Sequence, residues 1–146
     1  MDPLTTVVEL EALRNLKARY CRLLDTRDFA GWRALLRDDL KVRVAITAPG
    51  PEAPPALTYD SADEFVAGVT ASLNGAATMH HCHTAELELT SATTATGVWA
   101  MEDRLLYPGG QKVSGAGHYH ESYVKADGRW TIATLELTRT LLELPR

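Results

Sequence analysis

Three of the five histidines in this chain, His80, His81 and His83, fall within four positions, with Cys82 among them. Imidazole is the side chain whose unperturbed pKa lies nearest physiological pH, so a cluster of this kind is raw material for proton transfer. The sequence also invites a metal reading, with His118 and His120 as further ligands. Alternation along a strand opposes it: residues 80 and 82 face one way and residues 81 and 83 the other, so at most two of the run share a site unless a bulge intervenes. No metal and no cofactor are therefore expected. A Gly-x-Ser-x-Gly elbow, a Gly-rich phosphate loop and a Cys-x-x-Cys pair are all missing from the sequence.

The elements that must position these groups follow from periodicity. Glu86-Leu87-Glu88-Leu89 alternates as a half-buried strand does, Ser91 to Thr94 reads as a turn, and Ala95 to Leu106 as the returning strand. This hairpin brings His80 to the level of Glu102 and Asp103. Upstream, Leu10, Leu13, Leu16, Tyr20 and Leu23 recur at helical spacing after a capping box at Thr6 and Glu9. Asp25 closes that helix at the negative end of its dipole, an unfavourable place for a carboxylate, which calls for a partner. Asp28 caps a second, short helix with Phe29, Trp32, Leu35 and Leu36. Leu40, Val42, Val44 and Ile46 alternate as a strand, and Pro49, Pro51, Pro54 and Pro55 force a loop. Ser61 and Glu64 open a third helix that Asn74-Gly75 stops. Turns at Pro108-Gly109-Gly110 and Asp127-Gly128 separate two last strands, the first running through His118 and His120. Helix, helix, strand, helix and then four strands joined by short turns predict an α+β fold with an antiparallel sheet.

Composition bounds the function. The 146 residues fit a single domain, and 45% hydrophobic with 23% charged residues is ordinary for a globular protein. A net charge of -4 argues against a nucleic-acid partner, and the basic run Arg14, Lys17, Arg19, Arg22 and Arg27 reads as a solvated helix face. The N-terminus lacks the basic and then apolar regions of a signal peptide, and no apolar run is long enough to span a membrane. The expectation is a cytoplasmic protein with free thiols at Cys21 and Cys82.

Several stretches resemble one known superfamily: Arg19-Tyr20 with Leu24-Asp25, Met79-His80 with His83-Thr84 and Glu86, Thr94 to Gly97 with Trp99 and Glu102-Asp103, and Asp127-Gly128 with Trp130 and Arg139. As a set they are similar to the SnoaL-like branch of the nuclear transport factor 2-like superfamily. That branch includes scytalone dehydratase, ketosteroid isomerase, polyketide cyclases and bile acid 7α-dehydratase, and the sequence most resembles the last. The resemblance implies a cone-shaped α+β barrel, its curved antiparallel sheet wrapped around the N-terminal helices. It also implies an active site lined by the positions of Tyr20, Asp25, His80, Asp103 and Arg139. His81, Cys82 and the proline-rich loop depart from that pattern.

On this reading His80 is the general acid/base and Asp25 orients it. Tyr20 donates a hydrogen bond to a substrate oxygen, and Asp103 with Arg139 tunes the pocket. His83, Trp99, His118 and His120 are assigned to substrate binding. The expected activity is a cofactor-independent dehydratase or isomerase-like lyase on a hydrophobic, ring-bearing substrate. A polyketide cyclase and a non-catalytic structural subunit are the alternatives. Homodimers or homotrimers are expected, with Leu135, Leu137, Leu141 and Leu142 offering apolar surface to a partner.

Overall fold

The computed structural model describes residues 1–144. Helix α1 runs Pro3–Asp25, α2 Phe29–Arg33 and α3 Ala62–Ser72; the strands are β1 Leu36–Val44, β2 Leu57–Tyr59, β3 Ala77–Leu89, β4 Thr94–Leu106, β5 Lys112–Ala126 and β6 Arg129–Glu143. Helix α1 begins a turn before the expected capping box. Asp2 is the cap, its carboxylate accepting the Thr5 N–H at 2.9 Å, and Pro3 occupies the first turn, where a missing N–H costs nothing. Glu9 instead accepts from Lys125 Nζ and Trp130 Nε1, fastening α1 to the far ends of β5 and β6. Helix α3 starts as expected at Ser61, which accepts the Glu64 N–H, and Gly75 follows its end at a φ of 75° that suits glycine.

The strands form one six-stranded sheet in the order β2-β1-β6-β5-β4-β3. Four consecutive strands, β3 to β6, pair antiparallel through short turns. Two features differ from expectation. Strand β1 lies parallel to β6, so the sheet is mixed, and its two ends, β2 and β3, do not pair to close a barrel. Turn length governs only strands adjacent in sequence, and β1 and β6 are joined by most of the chain. The three-residue β2 leaves the proline-rich loop to pair with β1 and is too short to produce a periodic signal.

One face of the sheet carries the core. Ala95, Trp99, Met101 and Asp103 on β4, Tyr119, Glu121 and Tyr123 on β5, and Ile132, Leu135 and Leu137 on β6 are buried there. They pack against Leu13, Leu16, Tyr20 and Leu24 of α1, Trp32 of α2 and Phe65 of α3. Leu135 and Leu137 thus face the core, and of the four leucines expected to offer partner surface only Leu141 is largely exposed. Among the described residues, no helix is long and apolar enough to cross a membrane.

Lys17 was expected on a solvated face and is instead fully buried. It occupies the same stripe as Leu13, Tyr20 and Leu24, at the three- and four-residue spacing that turns a helix face inward. Its Nζ lies 2.6 Å from Glu121 Oε2 and sits over the rings of Tyr20 and Tyr119, 3.7 and 3.6 Å from their centroids. Tyr123 donates to the other Glu121 oxygen at 2.8 Å and accepts from Trp99 Nε1 at 2.8 Å. Every polar group in this buried network is matched, so breaking it from one side is costly. Lys17→Met should lower the unfolding free energy by about 3–5 kcal/mol, with the loss reduced when Glu121→Gln is added. Denaturant titration of the single and double variants checks this; additive losses would contradict the coupling.

Candidate active site

Helix α1 delivers Tyr20, Leu24 and Asp25 from its last two turns. Asp25 stands at the C-terminal end, where the helix dipole disfavours it, and the start of β3 supplies the compensation. Thr78 Oγ1 donates to Asp25 Oδ1 at 2.9 Å, the His80 backbone N–H to Oδ2 at 2.8 Å, and His80 Nδ1 lies 2.7 Å from Oδ1. Just beyond, Arg27 adopts a φ of 62° and its guanidinium donates to the carbonyls of Leu73 and Ala76, holding the exit of α1 against the turn into β3.

Burial opposes ionisation of Asp25, but the hydrogen bonds from the His80 ring and backbone, the His80 charge and the Thr78 hydroxyl outweigh it and hold the carboxyl below its ordinary value. An ionised carboxylate only accepts, so Nδ1 of His80 is the protonated nitrogen and Nε2 carries the lone pair. Nε2 has no protein partner among the described residues, and His80 lines a half-open cavity of about 420 Å³ between the sheet and the helices. The dyad is therefore arranged as a proton acceptor: carboxylate behind, open lone pair in front.

The polar side of that cavity also contains Tyr20, Asp103 and Arg139. Asp103 is the register partner of His80 across β3 and β4. It is paired in two places with Arg139, Nη1 to Oδ1 at 3.1 Å and Nη2 to Oδ2 at 2.9 Å, while Arg139 Nε donates to the Ala45 carbonyl at 3.3 Å. Gly115 lies opposite Asp103 on β5, and a Cβ there would collide with the Arg139 guanidinium and the Asp103 carboxylate. Burial, then the Glu121 carboxylate, pushes the Tyr20 hydroxyl well above the usual tyrosine range. It stays protonated and serves as a donor. The remaining walls are apolar, among them Trp32, Phe65, Val69, Leu73, Leu105 and Leu137.

All five residues expected to form the site are thus brought together, four on the cavity wall and Asp25 behind His80. Four expected to bind substrate are not. Alternation turns His81 and His83 to the other face of β3, where His83 Nε2 lies 3.2 Å from Glu102 and both are exposed. The bulge between Cys82 and Ala85 sets this parity: carried back unbroken, the alternation that faces Leu87 and Leu89 to the core would turn His83 and His81 inward, and the shift puts Cys82 and His80 there instead. His118 and His120 occupy that same outer face on β5, His120 reaching Thr138 at 3.1 Å. Trp99 faces inward but is held in the core by Tyr123. Among the described residues, no three His, Cys, Asp or Glu side chains are grouped to hold a metal ion. A larger groove of about 870 Å³ crosses the outer face, between exposed charges such as Lys41, Arg43, Glu86 and Glu88. The inner cavity is the better candidate, because apolar walls around a few convergent polar groups are what small-molecule sites have in common. Sequence reasoning missed Tyr119, Tyr107 and Trp32 in its lining. The Trp32 indole N–H is buried without a partner among the described residues. Nothing in the sequence marks it apart from any other apolar position of a short helix.

The chain belongs to the SnoaL-like domain family, whose profile matches residues 5–136. Its fold recurs in a scytalone dehydratase-like protein from Novosphingobium aromaticivorans DSM 12444, 22% identical over 97% of this chain and 91% of that one, with a TM-score of 0.84. A type 2 hexachlorocyclohexane dehydrochlorinase, LinA, is 19% identical over 99% of this chain and 94% of its own, with a TM-score of 0.81. The β subunit assigned to an aromatic-ring-hydroxylating dioxygenase, also from N. aromaticivorans DSM 12444, is 18% identical over 96% and 94%, with a TM-score of 0.76. At these identities the likeness establishes the α+β fold that the sequence predicts.

The fold favours the ionised form of Asp25, so the stability it contributes is complete above the ordinary carboxyl value of 3.8 and is lost as pH falls through the lower folded value. Wild type should exceed Asp25→Asn in thermal unfolding midpoint near neutral pH, with the difference shrinking below that value. A pH series of melting curves checks this; a gap independent of pH would contradict it.

Proposed function

We propose that this protein is a cofactor-independent lyase that removes water from a hydrophobic, ring-bearing β-hydroxy carbonyl compound. The observation that carries the proposal is the Asp25–His80 hydrogen bond of 2.7 Å at the wall of an otherwise apolar cavity. His80 Nε2 takes the proton from the carbon beside the carbonyl. The Tyr20 hydroxyl, held protonated, donates to the oxygen on which charge develops. Asp25 stabilises the imidazolium, which then returns its proton to the departing hydroxyl as water. Because Asp103 saturates one side of the Arg139 guanidinium, the pair acts as a fixed dipole toward a polar end of the substrate. The apolar walls exclude water that would compete for these hydrogen bonds.

Two fold neighbours carry names of eliminations, a dehydratase-like protein and a dehydrochlorinase, which agrees with this chemistry. The likeness to bile acid 7α-dehydratase rests on the residues quoted from the sequence. It favours a steroid-like ring system, for which a cavity of about 420 Å³ is of suitable size. The dioxygenase β subunit supports the rival reading of a structural subunit. A histidine–aspartate dyad opening onto a cavity has no purpose in that role.

A panel of cyclic and polycyclic β-hydroxy ketones tests the proposal, with enone absorbance reporting elimination and deuterium uptake beside the carbonyl reporting proton abstraction. Turnover should fall at least ~100-fold in His80→Ala, and His81→Ala should keep most of it. A chelator should leave it unchanged. Undiminished turnover in His80→Ala, or activity lost to chelator and restored by zinc, would overturn the mechanism. Ring closure without loss of water would reassign the protein as a cyclase.

A further inference from the structure

Cys21 and Cys82, the two cysteines of the chain, come from α1 and β3 and meet with their sulfur atoms 3.6 Å apart. Neither takes part in the chemistry described above, yet each adjoins it. Cys21 follows Tyr20, and Cys82 lies two residues beyond His80 on the same face of β3. A second crevice of about 230 Å³ is lined by both cysteines, together with Arg14, Lys17, His81 and His80, which it shares with the cavity. Arg14 stands at the crevice rim, an exposed cation that favours thiolate and peroxide anions, while the Lys17 ammonium is already paired with Glu121. We propose that Cys21 and Cys82 are an oxidisable dithiol, a site at which a hydroperoxide forms an intramolecular disulfide tying α1 to β3 beside the Asp25–His80 pair.

The two thiols have unequal parts. The hydrogen bond from Cys82 lowers the Cys21 thiol to about 7; burial opposes this, and the charges of Lys17 and His80 assist it. Cys82 is pushed the other way, first by that same hydrogen bond and then by burial. Cys21 is therefore the attacking sulfur. Its thiolate attacks the terminal oxygen of the hydroperoxide: the S–O bond forms, the O–O bond breaks and the alkoxide leaves, taking up a proton to become the alcohol, which gives a sulfenic acid at Cys21. Cys82 then attacks the Cys21 sulfur as its own proton is lost. The S–S bond forms, the S–O bond breaks, and the hydroxide leaves with that proton as water. Two thiols lose two electrons, and the hydroperoxide is reduced to alcohol and water. Closing from 3.6 Å to a disulfide of about 2.0 Å needs a shift of roughly 1.5 Å. Strand β3 can yield at the bulge that begins directly after Cys82.

The inference stands whether or not the cavity carries out an elimination, and its test needs no substrate. The full-length protein is exposed to hydrogen peroxide under native conditions, unfolded, titrated for free thiols and mapped by peptide mass spectrometry. Both thiols should disappear together, with the Cys21 and Cys82 peptides linked in a monomer two hydrogens lighter, and dithiothreitol should restore them. In Cys82→Ser the sulfenic acid should accumulate at Cys21 and be trapped by dimedone. In Cys21→Ser, oxidation of Cys82 should be at least about tenfold slower. Disulfides between chains, independent oxidation of the two sulfurs, or survival of both thiols at peroxide doses that consume free cysteine would each overturn the proposal. The wild-type mapping decides the matter even where a variant fails to fold.

Discussion

A helix that ends on a carboxylate must find donors for it, and in this protein the first residues of β3 provide them. Asp25 accepts from Thr78 and from both the backbone and the ring of His80. One side chain thereby fixes where α1 stops, where β3 begins and how the imidazole is turned. The neighbouring contacts follow from that junction. Arg27 donates to the carbonyls that end α3 and precede β3, and the register set at His80 places Asp103, and through it Arg139, on the same wall. The polar side of the cavity is thus a consequence of how a helix terminus and a strand satisfy each other.

The core beneath the site obeys the same constraint more strictly. A fully buried lysine and glutamate persist only with close pairing and with every remaining donor and acceptor engaged. Here the partners are Tyr123 and, through it, Trp99, while the Tyr20 and Tyr119 rings enclose the ammonium. This network sets the orientation of Tyr20 from below. Burial holds the Tyr20 hydroxyl protonated, and the carboxylate this network keeps nearby adds to that effect. Packing and chemistry are joined in the same few residues: a tyrosine fixed by a buried ion pair is a donor that needs no reorganisation when a charged oxygen develops.

Much of this was legible in the sequence, and the rest has identifiable reasons for escaping it. Alternation in β3 separates His80 from His81 and His83, and the hairpin brings His80 to the level of Glu102 and Asp103. The exact register is not readable, because an unbroken hairpin would set His80 against Arg104 and the bulge between Cys82 and Ala85 moves it to Asp103. Long-range pairing is not readable either. Nothing local announces that β1 runs parallel to β6, because their contact is not bounded by a turn. Charge misled where position mattered: Lys17 shares a stripe with Leu13 and Tyr20, yet its type placed it on the surface. His118 and His120 carry the right chemistry on the outward parity of β5, and the buried residues between them, Tyr119 and Glu121, are the ones that face the core. Composition identifies what a residue can do, and the pleat decides whether it is in reach.

The central claim is that Asp25 holds His80 with Nδ1 protonated and Nε2 open to the cavity. Two-bond ¹H–¹⁵N correlation spectra of the imidazole at neutral pH read that arrangement directly, with His80→Gln used to assign its signals. The account predicts that the uncharged form of the His80 ring carries its proton on Nδ1, and that this preference is lost in Asp25→Asn. A proton resident on Nε2 in the wild-type protein would contradict it.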